Sequence, residues 1–249
     1  MRRVQANLKR YRAAVLKAAC EGLLFQSDDQ HGARKLASRW KEARLDEICD
    51  SITDGDHLPP PKRARGIPFL TIGNISSGKL DFAETRFVPE SYFRRIKANR
   101  IPKPGDVLYS VVGATIGIPV LVDNNRQFCF QRHIALLKPS VAVLPRFLWV
   151  LMASPRVYRE AWRRTTGSAQ PTLPIRALRN LLVDVPPLFE QERIVGEVER
   201  RFSVIEELEM TVSANLQRAA RLRQSILDRA FTGRLTSNDG ASHPPRTMA

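Results

Sequence analysis

The sequence predicts an α/β (α+β) protein: a globule of mixed short strands, a short N-terminal helix before it and a long coiled-coil-like helix after it. Two patterns carry that prediction. Between Leu45 and Pro186, short β-prone runs alternate with Gly, Pro and Asn. Past Pro187 the pattern is helical for more than forty residues, with apolar residues spaced by seven from Val198 to Ile226. The 249 residues with 43% apolar content suffice to bury a core.

In chain order, residues 2–21 read as a helix, because Val4, Leu8, Tyr11, Val15 and Ala18/Ala19 recur at three and four, with Gly22 as the stop. Residues 1–25 form that N-terminal segment, and residues 26–44, polar in "QSDDQHGARK", read as a linker. Residues 45–187 form the globule. Its strand candidates are "IPFLTIG", "FAETRFV", "GDVLYSVVG", "GIPVLVD", "QFCFQRHIALLKP" and "LLVDV". A helix is expected near residues 144–161, with Pro145 in its first turn and a break or kink at Pro155.

Residues 188–235 read as the long helix. Val198, Ile205, Val212, Ala219 and Ile226 are spaced by seven, and Ile194, Leu208 and Leu222 occupy intervening positions. Where Arg201, Asn215 and Arg229 interrupt, Phe202, Leu216 and Ala230 follow at once, so the seam drifts between heptad and ordinary helical periodicity. Such a helix spans roughly 60 Å and predicts a second long helix as partner. Gly233 is the expected stop, and residues 236–249 are expected to be a disordered tail.

Tyr11–Leu24 aligns with Leu222–Leu235 at an offset of 211: Arg12 meets Arg223, Val15 meets Ile226, Leu16 meets Leu227, Ala19 meets Ala230, Gly22 meets Gly233 and Leu24 meets Leu235. The match predicts a repeated unit; the competing explanation is that any amphipathic helix ending in glycine looks alike.

Charge narrows the partner. The net charge is +15; residues 25–187 carry 25 basic and 15 acidic side chains, residues 1–24 six and one, and residues 188–235 eight of each. The excess on the globule and the N-terminal segment fits a polyanion, most simply nucleic acid, against the alternative of generic solubility charge. No run approaches eighteen apolar residues, so no membrane span is expected, and "MRRVQANLKRYRAAVLKAAC" lacks a signal-peptide core. Cys20, Cys49 and Cys129 lie far apart, which predicts free thiols in a reducing, cytoplasmic setting.

Several stretches then resemble, in order, the specificity subunit of type I restriction–modification systems. "NLKRYRAAVLKAACEG" is similar to the end of its central spacer helix, and "LDEICDSITDG" to the opening of a target-recognition domain. "GIPFLTIGNISSGKLD", "IPKPGDVLYSVVGATIG" and "RTTGSAQPTLPIRALRNLLVDVPPLFEQERIV" are similar to internal landmarks of that domain. The resemblance covers about residues 1–235. It implies a target-recognition domain at 45–187 and a spacer or dimerisation helix at 188–235. It also implies double-stranded DNA as ligand, with methylation subunits and, through them, the restriction subunit as partners. Gly105-Asp106, Gln191 and Ile194 would be architectural. Family members carry two recognition domains and two spacers, so this chain is expected to be a half-length form. Such a form would work as a homodimer or pair with another half-subunit. In the alternative reading it is an interaction protein that alters the assembly or specificity of another specificity subunit.

No catalysis, cofactor or metal is expected. Val185-Pro186-Pro187-Leu188 lacks the polar residue an amino-methyltransferase places before Pro-Pro, and "VVGATIG" (Gly113, Gly117) is neither a dinucleotide fingerprint nor a phosphate loop. "TGSAQP" lacks the second glycine of a nucleophile elbow. "TDGDH" (Asp54, Asp56, His57) reads as a polar turn, and His133, in an apolar run, as a core residue.

Three loops are the candidate DNA contacts. "PPPKRARG" holds Lys62, Arg63 and Arg65 on a proline-stiffened loop, against the reading of a solvated charge cluster. "TIGNISSGK" offers Asn74, Ser76, Ser77 and Lys79; Asn pairs well with adenine, and the rival reading is a plain turn. "WRRTTGSAQ" combines Arg163, Arg164, Thr165, Thr166, Ser168 and Gln170 around Gly167. Gln131 and Arg132 are weaker candidates. The helix seam, the candidate partner surface, comprises Ile194, Val198, Phe202, Ile205, Leu208, Val212, Leu216, Ala219, Leu222 and Ile226.

Overall fold

A computed structural model describes residues 2–25, 40–56 and 60–232. His57, Gly233, the tail at 236–249 and most of the expected linker lie outside the described residues. Arg10–Phe202 forms one compact unit; the described parts of Met1–Lys9 and Ser203–Ala249 form another.

Helix α1 (Arg2–Cys20) ends where expected. Gly22 adopts φ +70°, and the Leu23 amide donates to the Ala18 carbonyl (2.9 Å), a left-handed turn that caps the helix. The 26–44 linker reading overshoots: Lys41–Arg44 is strand β1, paired antiparallel with β9 (Leu182–Val185). Its one buried side chain, Ala43, was too weak a pattern to reveal a strand. A single helical turn, α2 (Leu45–Ile48), leads into β2 (Cys49–Asp54).

The main sheet has the order β2-β8-β5-β6 and is antiparallel throughout, with β5 at Val107–Ser110, β6 at Pro119–Leu121 and β8 at Ile134–Pro139. A second sheet, β4-β3-β7, sets β3 (Ile67–Leu70) antiparallel to β4 (Arg86–Val88) and parallel to β7 (Cys129–Phe130). Successive strand residues point to opposite faces. Accordingly Leu70 and Phe130 enter one apolar cluster with Leu108, Ile134 and Leu136, while Phe69 and Cys129 enter another with Val88 and Phe93 of α3 (Glu90–Phe93).

The expected break at Pro155 is real. Helix α4 (Pro145–Ala153) stops at Ser154, whose Oγ accepts from the Val157 amide and so caps α5 (Pro155–Arg163). Helix α6 (Ile175–Arg179) precedes β9. Helix α7 runs unbroken from Leu188 to Phe231, about 66 Å at the standard rise. Its start is bolted to the globule by Gln191, which is fully buried. The Gln191 Oε1 accepts from the Leu144 amide (2.9 Å), and Nε2 donates to the carbonyls of Ala142 (3.0 Å) and Pro186 (2.9 Å). Trp40 Nε1 donates to buried Glu190 in the first turn (2.8 Å). Asp106 is also internal: it pairs with Lys138 and accepts from the Lys103 amide (2.7 Å). All three cysteines are free and buried, and burial pushes each thiol up to about 12.

Among the described residues no helix is long and apolar enough to cross a membrane.

Candidate nucleic-acid interface

Between β7 and β8 the chain turns within three residues, Gln131-Arg132-His133, and that turn is pinned by main-chain atoms from three directions. The Gln131 amide donates to Leu70 of β3 (3.0 Å), the Arg132 amide to Asp56 beyond β2 (3.2 Å), and the Val111 amide after β5 to the His133 carbonyl (3.0 Å). Gly55 makes this approach possible. A Cβ there would lie 2.1 Å from the Phe130 carbonyl oxygen and 2.4 Å from the Gln131 carbonyl carbon, so any other residue must push the strands apart.

Two clefts flank the turn, and Arg132 and His133 line both. The first, about 230 Å³, is bounded by Pro60, Pro61, Lys62, Arg86 and Phe87. The second, about 280 Å³, is bounded by Asp54, Val112, Gln170, Thr172 and Ile175. Among the described residues each cleft has one carboxylate, and Arg100 answers both, at 3.6 Å from Asp54 and 3.5 Å from Asp56. Tyr92 also donates to Asp56, and Arg100 donates to the carbonyls of Asp54 and Gly55. Arg132 forms no ion pair among the described residues, so the clefts remain basic at their junction. Burial and the neighbouring Arg132 lower the His133 pKa, which keeps the ring neutral near neutral pH.

Two of the three expected loops meet here. The 60–65 loop borders the first cleft, held to β4 by the Arg63 amide on the Phe87 carbonyl (2.9 Å), with Lys62, Arg63 and Arg65 exposed. The 163–170 loop reaches the second. Gly167 takes φ +86°, Thr166 and Thr172 exchange main-chain hydrogen bonds (2.8 Å each), and the Leu173 amide donates to Val111 (2.8 Å). Ser168 and Gln170 are exposed, and Arg163 pairs with Glu160 on the surface (2.7 Å).

Three expectations need correcting. Asn74 is buried inside its own turn: Oδ1 accepts from the Thr71 amide and hydroxyl (2.9 Å each), and Nδ2 donates to the Ala83 carbonyl (3.3 Å). Its amide is therefore spent on the fold and is not free for a base. Ser76, Ser77 and Lys79 are exposed on that turn but border neither cleft. Arg164 is half-buried and donates to the Asn180 carbonyl (2.9 Å); Thr165 Oγ1 donates to Trp162 (2.9 Å), so both brace the loop from inside. His133 is a half-exposed cleft residue, not core. Arg86 and His133 escaped sequence reasoning. The available hint was the polar triplet "QRH" between the apolar runs "FCF" and "IALL".

The helix seam divides. Ile194, Val198, Phe202 and Ile205 are buried. Val212 and Leu216 are half-buried and Ala219 exposed, while Leu208, Leu222 and Ile226 are 47%, 61% and 48% exposed. Among the described residues no group of three His, Cys, Asp or Glu side chains is placed to hold a metal ion.

A family model described as the type I restriction modification DNA specificity domain matches residues 37–217. The specificity subunits of the type I restriction enzymes EcoBI (Escherichia coli) and EcoKI (Escherichia coli strain K12) are 29% and 28% identical over 95% of this chain. The chain spans about half the length of the curated relatives it matches, 52% of each. The crystal structure of an HsdS subunit from Thermoanaerobacter tengcongensis superposes with a TM-score of 0.59 at 24% identity, covering 94% of this chain and 54% of that one. A chain from a solved type I R-M system gives 0.64 at 23%, covering 94% and 56%. These likenesses support the fold, long helix included.

Proposed function

The chain belongs to the type I restriction modification DNA specificity domain family, and from that premise we propose that it is a non-catalytic, half-length recognition subunit. It reads one half of a bipartite duplex site and brings methylation subunits, and through them a restriction subunit, to it in the cytoplasm. The observation that carries this reading is that the basic 60–65 loop and the polar 163–170 loop border the two clefts that share the 131–133 turn. Exposed Lys62, Arg63 and Arg65 suit phosphate contacts that set register, and the 163–170 loop, through Ser168 and Gln170, offers polar groups to base edges. The exposed seam from Leu208 to Ile226 supports pairing with a second copy, and a two-fold axis would then give a palindromic split site.

The test is to co-express this chain with its methylation subunit, without another specificity subunit, and map methylated adenines across the host genome. A palindromic split motif is the expected result. No methylation, with the chain folded, overturns the homodimer. The second reading then applies: the chain pairs with another specificity subunit through residues 188–235 and alters its assembly. The same exposed seam supports it.

A further inference from the structure

Arg132 differs from the exposed cations of the 60–65 loop in how its backbone is held, and from Arg86, fixed on β4 but lining the first cleft alone, in its place between the two clefts. Lys62, Arg63 and Arg65 sit on a loop tied to β4, among the described residues, by one main-chain bond at Arg63. Arg132 sits on a three-residue turn whose amides and carbonyls are bonded to β3, to the end of β2 and to the segment after β5. It lies at the junction of both clefts. Its Nε donates to His133 Nε2 (3.5 Å), which points the guanidinium and leaves the two terminal nitrogens without a carboxylate among the described residues. The nearby acids are already answered by Arg100 and Tyr92.

A long side chain on a loosely held loop serves a phosphate, which tolerates many approaches. Reading a base edge needs a donor fork set on a rigid support. We propose that Arg132 is a specificity-determining residue that reads a base edge with its terminal nitrogens, with His133 as the positioning residue that orients it. This rests on the DNA-recognition reading above. An acceptor pair such as guanine O6 and N7 is the chemistry that fits a guanidinium fork. Neutral His133 supports the geometry, because only the unprotonated ring accepts from Arg132.

The test selects bound duplexes from a random-sequence pool, using the full chain co-purified with its methylation subunits. Wild type, Arg132→Ala, Arg132→Lys and, as a charge-matched control lining neither cleft, Arg146→Ala are compared. Wild type and Arg146→Ala should enrich the same motif. Arg132→Ala should lose preference at one base pair per half-site, discrimination there falling about 10- to 100-fold. Its affinity for random duplex should change by no more than about threefold, since phosphate contacts dominate non-specific binding. Arg132→Lys, which keeps the charge and loses the fork, should relax the same position. The proposal is overturned if Arg132→Ala keeps the motif while weakening all duplexes alike, with the salt slope falling by about one contact, because that is a phosphate clamp. It is also overturned if both variants behave as wild type. A wild-type complex that enriches no motif sinks the DNA-recognition reading and this assignment with it, an outcome distinct from the other two.

Discussion

The two stretches of α7 carry one apolar period and meet opposite surroundings. From Leu188 to Phe202 the seam is covered: Ile194 and Val198 are 2% and 1% exposed, and Phe202 packs edge-on to Trp149 (6.1 Å between ring centroids) with Arg12 over its face. From Leu208 onward the same period is only partly covered, with Val212 and Leu216 half-buried and Leu208, Leu222 and Ile226 exposed. Periodicity alone therefore does not say what an apolar stripe is for. The first stretch holds a globule to a helix; the second is an amphipathic surface whose natural cover is another helix.

The sharpest way to break this comparison is to place charge on each stretch. Val198→Asp should unfold the globule, costing upwards of about 3 kcal/mol because the carboxylate is buried without a partner. Leu208, Leu222 and Ile226 all changed to Glu should leave the thermal midpoint of the globule unchanged. Self-association should weaken by at least about 100-fold, read by sedimentation, because each buried Leu or Ile is worth roughly 1.5–3 kcal/mol. If the triple variant sediments as wild type, the exposed stretch has no second copy on it.

A smaller effect is expected at the bolt between globule and helix. Gln191→Ala removes three hydrogen bonds and strands main-chain groups at Ala142, Leu144 and Pro186. A loss of about 2–4 kcal/mol should appear in urea unfolding. A loss below about 0.5 kcal/mol would mean that water replaces the side chain.

The smallest effect depends on pH. Hydrogen bonds from Arg200 and Arg201 hold the Glu197 carboxyl at about 2, below its ordinary 4.5. A depressed folded value means the stabilisation is fully present above pH 4.5 and is lost as pH falls through 2. The gap in thermal midpoint between wild type and Glu197→Gln should thus be widest near neutrality and close towards pH 2; a constant gap contradicts the assignment.

Apolar runs made most strands legible, as "GDVLYSVVG" and "IALLKP" did, because burial on both faces leaves a continuous hydrophobic signature. β1 and β2 were illegible as strands because "KEAR" and "CDSITD" are mostly polar and owe their pairing to β9 and β8 far along the chain. The same limit governs the candidate site. Lys62 and Gln170 were visible as loop residues, but no local pattern says that they flank one turn, or that Arg132 joins their clefts. Asn74 misled because an amide that satisfies its own turn and one that reads adenine look identical in sequence.

The pins that hold the 131–133 turn are peptide groups, contributed by Leu70, Asp56 and Val111 whatever their side chains are. If this turn reads DNA as proposed, fold and recognition are written in different atoms at this place. Substitutions at 131, 132 and 133 can alter what the surface presents while the turn stays put. Gly55 is the reverse case, since a single added carbon would strike the turn's support. A lineage of such proteins could change its target by drifting through the three outward side chains, with the neighbouring glycine held constant.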